Sequence, residues 1–261
     1  MLSSTDRHAV ADALEAAETA RRPIDPLTRT WPGIDVTDAY EVQLLLIQRK
    51  VAAGALVRGH KVGLSSKAMQ QMMGVDEPDY GHLLDTMLVA EGDPIPVAEL
   101  CAPRVEVEVG FVLGHDLSGP GVTPADVLRA TAFVLPAIEI IDSRIADWRI
   151  GLPDTIADNA SSARVVVGGV ATPVAGLDLR ALGAVVRKNG DVVATGATGA
   201  VLANPVTAVA WLANTVWPFG VALEAGHLVL PGSCTCAVDV ISGDTIRAEI
   251  DVLGPVTTTF A

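Results

Sequence analysis

The stretch PRVEVEVGFVLG, residues 103–114, decides how the chain is read. It alternates with the period of two that puts successive side chains on opposite faces of a strand. Val105, Val107 and Val109 then share one face, and Glu106 and Glu108 are neighbours on the other. Two carboxylates side by side repel, so water or a cation has to offset them. A strand with one face in water would meet that need without further chemistry, as in many antiparallel sheets. Two details weigh against so plain a reading. The strand runs on into GFVLG, apolar on both faces, and a third glutamate, Glu139, stands between Ile138 and Ile140 in LPAIEIID, residues 135–142. A glutamate in so apolar a strand is rarely buried without a partner. If the three carboxylates converge, a hard divalent cation, Mg²⁺ or Mn²⁺ in preference to Zn²⁺, is the expected counter-charge for an all-oxygen donor set. Three protein ligands would leave positions open for substrate or water.

Composition narrows the class. Half of the 261 residues are hydrophobic and 19% are charged, which is a globular composition. The 24 glycines and 16 prolines call for many turns, and so for many strands. A net charge of −13 with no basic cluster argues against nucleic acid and against an anionic membrane surface. No apolar run is read as long enough to span a bilayer. Cys101, Cys234 and Cys236 are an odd set behind a polar N-terminus with no secretion signal. They are read as reduced thiols in a cytoplasmic protein, buried and apolar in preference to half a metal site at Cys234 and Cys236.

The chain reads as a helical part, residues 1–56, feeding a strand-rich body, residues 57–261, most simply as one structural domain of α+β class. Val10, Leu14 and Ala17 have helical spacing over residues 5–21, and a second helix is expected from Asp35–Asp38 to about Gly54. LVRGHKVGL reads as a strand. SSKAMQQMMG reads as a brief helix whose methionines are core filler or an adaptable surface. Thr123-Pro124-Ala125-Asp126 has the pattern of a capping box and predicts a helix to about Phe133, followed by the strand PAIEIID. Asn189-Gly190 between alternating runs predicts a hairpin, NPVTAVAWLANTV a helix with proline at its first position, and HLVLPG and DTIRAEIDVLG late strands. The regular βαβ alternation of a Rossmann or TIM fold is missing.

Other residues could carry chemistry. Lys61 sits among small and apolar residues in GHKVGLSS. It could have a lowered pKa and transfer protons, hold a substrate carboxylate as a cation, or lie along the surface. DEPDYGHL places Asp76, Glu77, Asp79, Tyr80 and His82 together, and most loop acids simply face water. IADNASSARVVVGG offers Asp158, Asn159, Ser161 and Ser162, otherwise a turn and a cap. PGSCTC offers Ser233 and Thr235, or is only a turn. Nucleophile elbow, P-loop, dinucleotide fingerprint and zincin motifs are all missing.

Taken in order, GHKVGLSSKAMQQMMGVDEPDYGHLLDTM, PRVEVEVGFVLG, LPAIEIIDSRIADW and DTIADNASSARVVVGG resemble the 2-hydroxypenta-2,4-dienoate (2-keto-4-pentenoate) hydratases of the fumarylacetoacetate hydrolase superfamily. The resemblance covers nearly the whole chain. It implies a mixed β-roll of the fumarylacetoacetate hydrolase C-terminal-domain type with an N-terminal helical part, assembled as pentamers or decamers. It implies a hydro-lyase of aromatic or steroid ring catabolism acting after meta-cleavage on a small 2-hydroxy-dienoate, with an aldolase downstream. By matching motif positions it implies Glu106, Glu108 and Glu139 as metal ligands, Lys61 and Asp79 as catalytic residues, and Leu64, Ser161, Ser233 and Thr235 as substrate-binding residues. Arg164 stands where relatives often carry glycine, so no role is transferred to it.

The implied chemistry is protonation at C5, addition of water at C4 of the resulting 2-oxo-3-enoate, and protonation at C3, with Lys61 and Asp79 as the proton-transfer groups. Three rivals stand beside it. A 4-oxalocrotonate-type decarboxylase would need a cation for a second substrate carboxylate, with Arg144 and Arg164 as candidates. An acylpyruvate-type C–C hydrolase would need a base, with His60 and His82 nearby. A non-catalytic scaffolding partner would have no use for the glutamates.

Overall fold

The computed structural model describes residues 1–67, 70, 71 and 74–261. Its N-terminal part is helical: α1 (Ser4–Ala20), the single turn α2 (Leu27–Thr30) and α3 (Val36–Ala52). The two long helices open on capping boxes, Ser3 with Asp6 and Asp35 with Asp38. Asp38 also locks them together: it is fully buried, accepts the Leu2 N–H at 2.8 Å and pairs with Arg7 at 2.8 Å. Buried Gln43 fastens α3 to the body, where its Nε2 donates to the carbonyls of Tyr80 at 2.9 Å and Ile156 at 2.7 Å.

The body contains β1 (Val57–Gly63), β2 (Asp79–Leu84), β3 (Leu88–Val89), β4 (Pro94–Ile95) and the long β5 (Pro103–Leu113). There follow α4 (Pro124–Ala130), β6 (Thr131–Asp142), α5 (Leu152–Ala157), β7 (Ser162–Val167), β8 (Gly183–Lys188) and β9 (Asp191–Ala197). The chain closes with α6 (Pro205–Val216), β10 (Leu228–Leu230), β11 (Val238–Asp239), β12 (Thr245–Ile250) and β13 (Gly254–Phe260). An eight-stranded sheet has the order β2-β1-β10-β5-β6-β7-β3, with β11 also pairing β5. A five-stranded sheet has the order β4-β13-β12-β8-β9 and packs through β12 and β13 on β6. Parallel pairs (β1 with β10, β3 with β7, β4 with β13) sit among antiparallel ones, so the sheets are mixed and the class is α+β, as expected.

Strands β5 and β6 form the spine. Val105 faces Ile140, Val107 faces Ile138 and Phe111 faces Val134 across their antiparallel register, all at most 1% exposed. This face belongs to the main core. Leu135 and Ala137, on the opposite face of β6, join a smaller cluster with Val165, Leu228 and Leu230.

Several sequence expectations need adjustment. Helix α4 stops at Ala130, and residues 131–133 already belong to β6. Thr131 Oγ1 donates to Val127 O at 2.8 Å and closes the last turn, after which β-branched and aromatic residues favour the strand. Residues 198–219 do meet the length and composition of a membrane span. The regular helix within them is only the 12 residues of α6, about 18 Å against a hydrocarbon layer of about 30 Å. Its Val206, Val209, Leu212 and Val216 lie in the main core. Of the thiols, Cys234 is buried but Cys236 is exposed and Cys101 half-buried. Met69, Met72 and Met73 lie outside the described residues. The hairpin is as expected, with Asn189 at φ 55° and Gly190 at φ 95° joining β8 to β9.

Ile138→Ala should cost about 2–5 kcal/mol, because Ile138 is fully buried against Val107 in a spine that cannot collapse around the void. Urea denaturation measures this.

Candidate active site

The second face of the spine holds the glutamates. Glu106 lies directly opposite Glu139 across β5 and β6, and Glu108, two residues on, lies opposite Ala137. One carboxylate oxygen from each of the three falls within 4.8 Å of the others. Glu108 and Glu139 are fully buried while Glu106 is partly exposed, so the cradle opens on the Glu106 side. Backbone and hydroxyl donors hold two of the three. The Gly232 N–H donates to Glu108 Oε2 at 2.6 Å, and Ser162 Oγ donates to Glu139 Oε1 at 2.7 Å. Gly232 must be glycine, since its φ is +119° and a Cβ there would lie 1.8 Å from Ser65 Oγ.

The other oxygens, Glu108 Oε1 and Glu139 Oε2, are buried and accept no hydrogen bond among the described residues. Burial, reinforced by the neighbouring carboxylates, pushes Glu106 up to about 7 and Glu108 well above the usual carboxylate range. Three converging carboxylates, two of them with a buried oxygen that accepts no hydrogen bond among the described residues, fit a hard divalent cation, which would supply the missing charge.

Lys61 enters from β1. Its Nζ lies 3.4 Å from Glu139 Oε2 and donates to Ala160 O at 3.0 Å. Burial disfavours its charge, but Glu139, Glu106, Asp79 and Glu108 outweigh burial and raise its pKa. These carboxylates favour its ammonium form. Asp79 pairs with Gly63 across β1 and β2, on the same face as Lys61. A Cβ on Gly63 would sit 2.1 Å from Asp79 Oδ1 and 3.4 Å from Lys61 Nζ, so this glycine makes room for both. Thr155 Oγ1 donates to Asp79 Oδ2 at 3.2 Å, Oδ1 has no partner, and burial raises the Asp79 pKa.

Between α5 and β7 three successive residues are left-handed: Asn159 (φ 54°), Ala160 (φ 49°) and Ser161 (φ 56°). Each costs roughly 1–2 kcal/mol for a residue with a Cβ. The run aims the Ala160 carbonyl at Lys61 and leaves Ser161 Oγ buried without a partner. A bulge then puts Ser162 opposite Ile141, while Arg164 stays opposite Ile140. Ile141 and Glu139 share a face, so the bulge turns the Ser162 hydroxyl onto the glutamate.

The remaining expected residues lie around this centre. Ser233 accepts the Val107 N–H at 3.3 Å and donates to Thr235 O at 2.9 Å, and Thr235 Oγ1 donates to Cys236 O at 3.2 Å. Their turn is thus tied to β5 between Glu106 and Glu108. Leu64 follows β1 with φ 52°, and its carbonyl accepts from Gln70 at 2.9 Å. Asp76 and Glu77 face solvent. The sequence reading offered Ser162 as a candidate without a specific role and did not name Thr155. The bulge that orients Ser162 depends on pairing across the sheet, which no local pattern displays.

His60 and His82 pair with each other on the face of β1 and β2 opposite Lys61, their rings 4.8 Å apart. Both are buried, with Nδ1 of His82 3.1 Å from Gln43 Oε1. Burial pushes His82 down to about 4 and His60 well below the usual imidazole range. Arg144 is in a buried ion pair with Asp158, and Arg164 pairs with Glu99 at 3.2 Å.

The chain belongs to the fumarylacetoacetate hydrolase C-terminal family, whose model it matches over residues 51–261. It is 43% identical over 259 residues, covering 99% of this chain and 96% of the other, to a 2-keto-4-pentenoate hydratase of Paraburkholderia xenovorans. It is 47% identical over 214 residues, 82% of this chain and 96% of the other, to a 2-hydroxypent-2,4-dienoate hydratase of Pseudomonas putida. Among solved structures it resembles the 4-oxalocrotonate decarboxylase of Pseudomonas putida G7 complexed with magnesium and adipate, with a TM-score of 0.97 and 38% identity over 100% of this chain and 99% of that one.

The buried imidazole of His82 sets a pH dependence. Its pKa falls from 6.5 in the unfolded chain to about 4 in the fold, so the unfolded state binds the extra proton and stability is lost as pH falls from about 6.5 toward 4. His82→Gln should escape that loss, and its stability relative to wild type should improve by about 3 kcal/mol between pH 7 and pH 4. Paired urea titrations at the two pH values measure the difference.

Proposed function

We propose that this protein is a hydro-lyase that adds water to 2-hydroxypenta-2,4-dienoate or a close analogue, giving 4-hydroxy-2-oxopentanoate, in the meta-cleavage catabolism of aromatic or steroid rings. The observation that carries the reading is the converging trio Glu106, Glu108 and Glu139, with Lys61 beside Glu139 and Asp79 on the same face as Lys61. The likeness to hydratases over nearly the full chain supports it. Glu106, Glu108 and Glu139 would hold Mg²⁺ or Mn²⁺. When bound, such an ion orients a 2-oxo acid through its adjacent oxygens and polarises the carbonyl.

The chain's own groups then move protons. The dienol loses its hydroxyl proton and gains one at C5, giving the 2-oxo-3-enoate. Water adds its oxygen at C4, and C3 takes the proton that completes the addition. Lys61, whose ammonium form the neighbouring carboxylates favour, and Asp79, whose pKa burial raises, are our candidates for exchanging these protons. Ser161, with its free buried hydroxyl, contributes a hydrogen bond to the substrate, and Leu64, Ser233 and Thr235 complete the pocket wall.

Two observations weigh against the rival reactions on their expected substrates. A second substrate carboxylate, as in the diacid of a 4-oxalocrotonate-type decarboxylase, calls for a spare cation, whereas Arg144 and Arg164 are both engaged by carboxylates. A hydrolase needs a histidine base, whereas His60 and His82 lie on the opposite face. The product is an aldol, so an aldolase that cleaves C3–C4 is the class of enzyme that would consume it. Exposed Val192 and Val193 on the edge strand β9 suit assembly into a cytoplasmic homo-oligomer, a pentamer or decamer.

Glu106→Gln should abolish turnover of the dienoate while the protein stays folded by circular dichroism. Full activity after chelation and dialysis would refute the metal requirement. Lys61→Ala should lower kcat by about 10²–10⁴-fold with a much smaller change in Mg²⁺ affinity by calorimetry. Release of CO₂ from a 2-hydroxy diacid in place of hydration of the dienoate would move the protein to the decarboxylase branch.

A further inference from the structure

The left-handed run at Asn159–Ser161 needs something to hold it, and Arg144 is placed to do so. Arg144 is buried and reaches both ends of the segment. At the near end its backbone N–H donates to Asp158 Oδ2 at 2.9 Å, its Nε donates to Asp158 Oδ1, and one terminal nitrogen donates to Asp158 O at 2.6 Å. At the far end the other terminal nitrogen lies 3.5 Å from Ser162 O. Within this span Ala160 O receives Lys61 Nζ at 3.0 Å, and Ser162 Oγ donates to Glu139 at 2.7 Å. Asn159 fixes the third direction, since its side chain accepts the His82 N–H at 2.8 Å and donates to His82 O at 2.9 Å.

Behind the segment Arg144 and Asp158 line a cavity of about 70 Å³ together with Glu18 of α1 and Lys50 of α3. Arg144 thus stands between this cavity, walled in part by the N-terminal helices, and the turn it contacts.

We propose that Arg144, a residue outside the proton-transfer and metal-binding sets, is a positioning residue: it clamps residues 158–162 so that one strained turn sets Lys61 and Glu139 relative to each other. The planar guanidinium suits the task, because its fixed fork satisfies a carboxylate and two carbonyls at once, which a lysine ammonium reproduces only in part. The proposal rests on the hydratase reading for its kinetic test but not for its structural one.

The experiment compares Arg144→Met, Arg144→Lys and Asp158→Asn with wild type. Arg164→Met, which removes a second cation lining the same cavity, serves as control. The readouts are kcat, KM, Mg²⁺ affinity without substrate, melting temperature, and the crystal structure of Arg144→Met. Arg144→Met should lose about 10–100-fold in kcat, as removal of a supporting shell does, with KM and Mg²⁺ affinity within about threefold. Arg144→Lys should recover part of the loss, Asp158→Asn should resemble Arg144→Met, and Arg164→Met should behave as wild type. In the crystal the contact between Ala160 O and Lys61 should be lost.

Unchanged kcat, or retention of that contact, overturns the proposal. So does a parallel fall of kcat, Mg²⁺ affinity and melting temperature, or failure of all three clamp variants to fold, because either result marks general support of the fold. If wild type hydrates no dienoate, the hydratase reading fails while the crystal comparison still decides the clamp.

Discussion

Three carboxylates gathered in a buried groove repel one another, and much of the structure around them answers that repulsion. Their nearest oxygens lie within 4.8 Å. At an effective dielectric of about 20 each ionised pair costs about 3 kcal/mol, so three pairs approach the whole stability of a typical domain. Relaxation cannot disperse them, because Val105, Val107, Ile138 and Ile140 lock the other face of the same two strands into the core. The charge has to be met where it stands. Lys61, the Gly232 N–H and the Ser162 hydroxyl each meet part of it, and Glu106 and Glu108 still have raised pKa values, first from burial and then from the neighbouring carboxylates. The part left unmet is the driving force for a divalent cation.

The groups that meet it come from distant parts of the chain, and the backbone is bent to bring them in. Gly63 lets Asp79 and Lys61 share one small volume, and Gly232 adopts a conformation closed to other residues so that its N–H can reach Glu108. Asn159, Ala160 and Ser161 accept left-handed geometry to offer Lys61 a carbonyl. Strain of this kind persists only where surrounding contacts over-determine it. Gln43 on Tyr80 and Ile156, Thr155 on Asp79 and Arg144 on Asp158 supply those contacts, and so the N-terminal helices stand close to the site they do not enter.

What was legible in the sequence was local. The alternation of residues 105–109 placed the two glutamates on one face, the Asn189-Gly190 turn and the capping residues Asp35 and Thr123 marked their elements, and Glu139 stood out because isoleucines flank it. The resemblance to a known family then brought Lys61 and Asp79 to the same place. What stayed hidden depends on pairing between distant segments. The end of α4 is set by the competing pairing of Thr131 with Leu113. The orientation of Ser162 is set by a bulge against β6, and the charge state of Lys61 by carboxylates from three other strands. In sequence Arg144 is a candidate for a second substrate carboxylate and Asp158 a candidate acid or turn residue, and nothing local shows that they meet.

A cradle of this kind suits several reactions of 2-oxo acids, so charge balance beyond the cradle has to separate them. With the trio ionised, a divalent cation and the Lys61 ammonium bring the local charge to about zero. A monoanionic substrate then leaves one excess negative charge, which the polarised carbonyl and nearby hydroxyls can spread. A dianionic substrate leaves two in a groove that excludes water, and the second is expensive without a cation of its own. Arg144 is a buried cation beside the 158–162 turn, but Asp158 neutralises it and each of its three guanidinium nitrogens donates to that turn. A guanidinium already paired with Asp158 has little charge to offer a second carboxylate. That ion pair therefore weighs the charge balance of the groove toward a monocarboxylate.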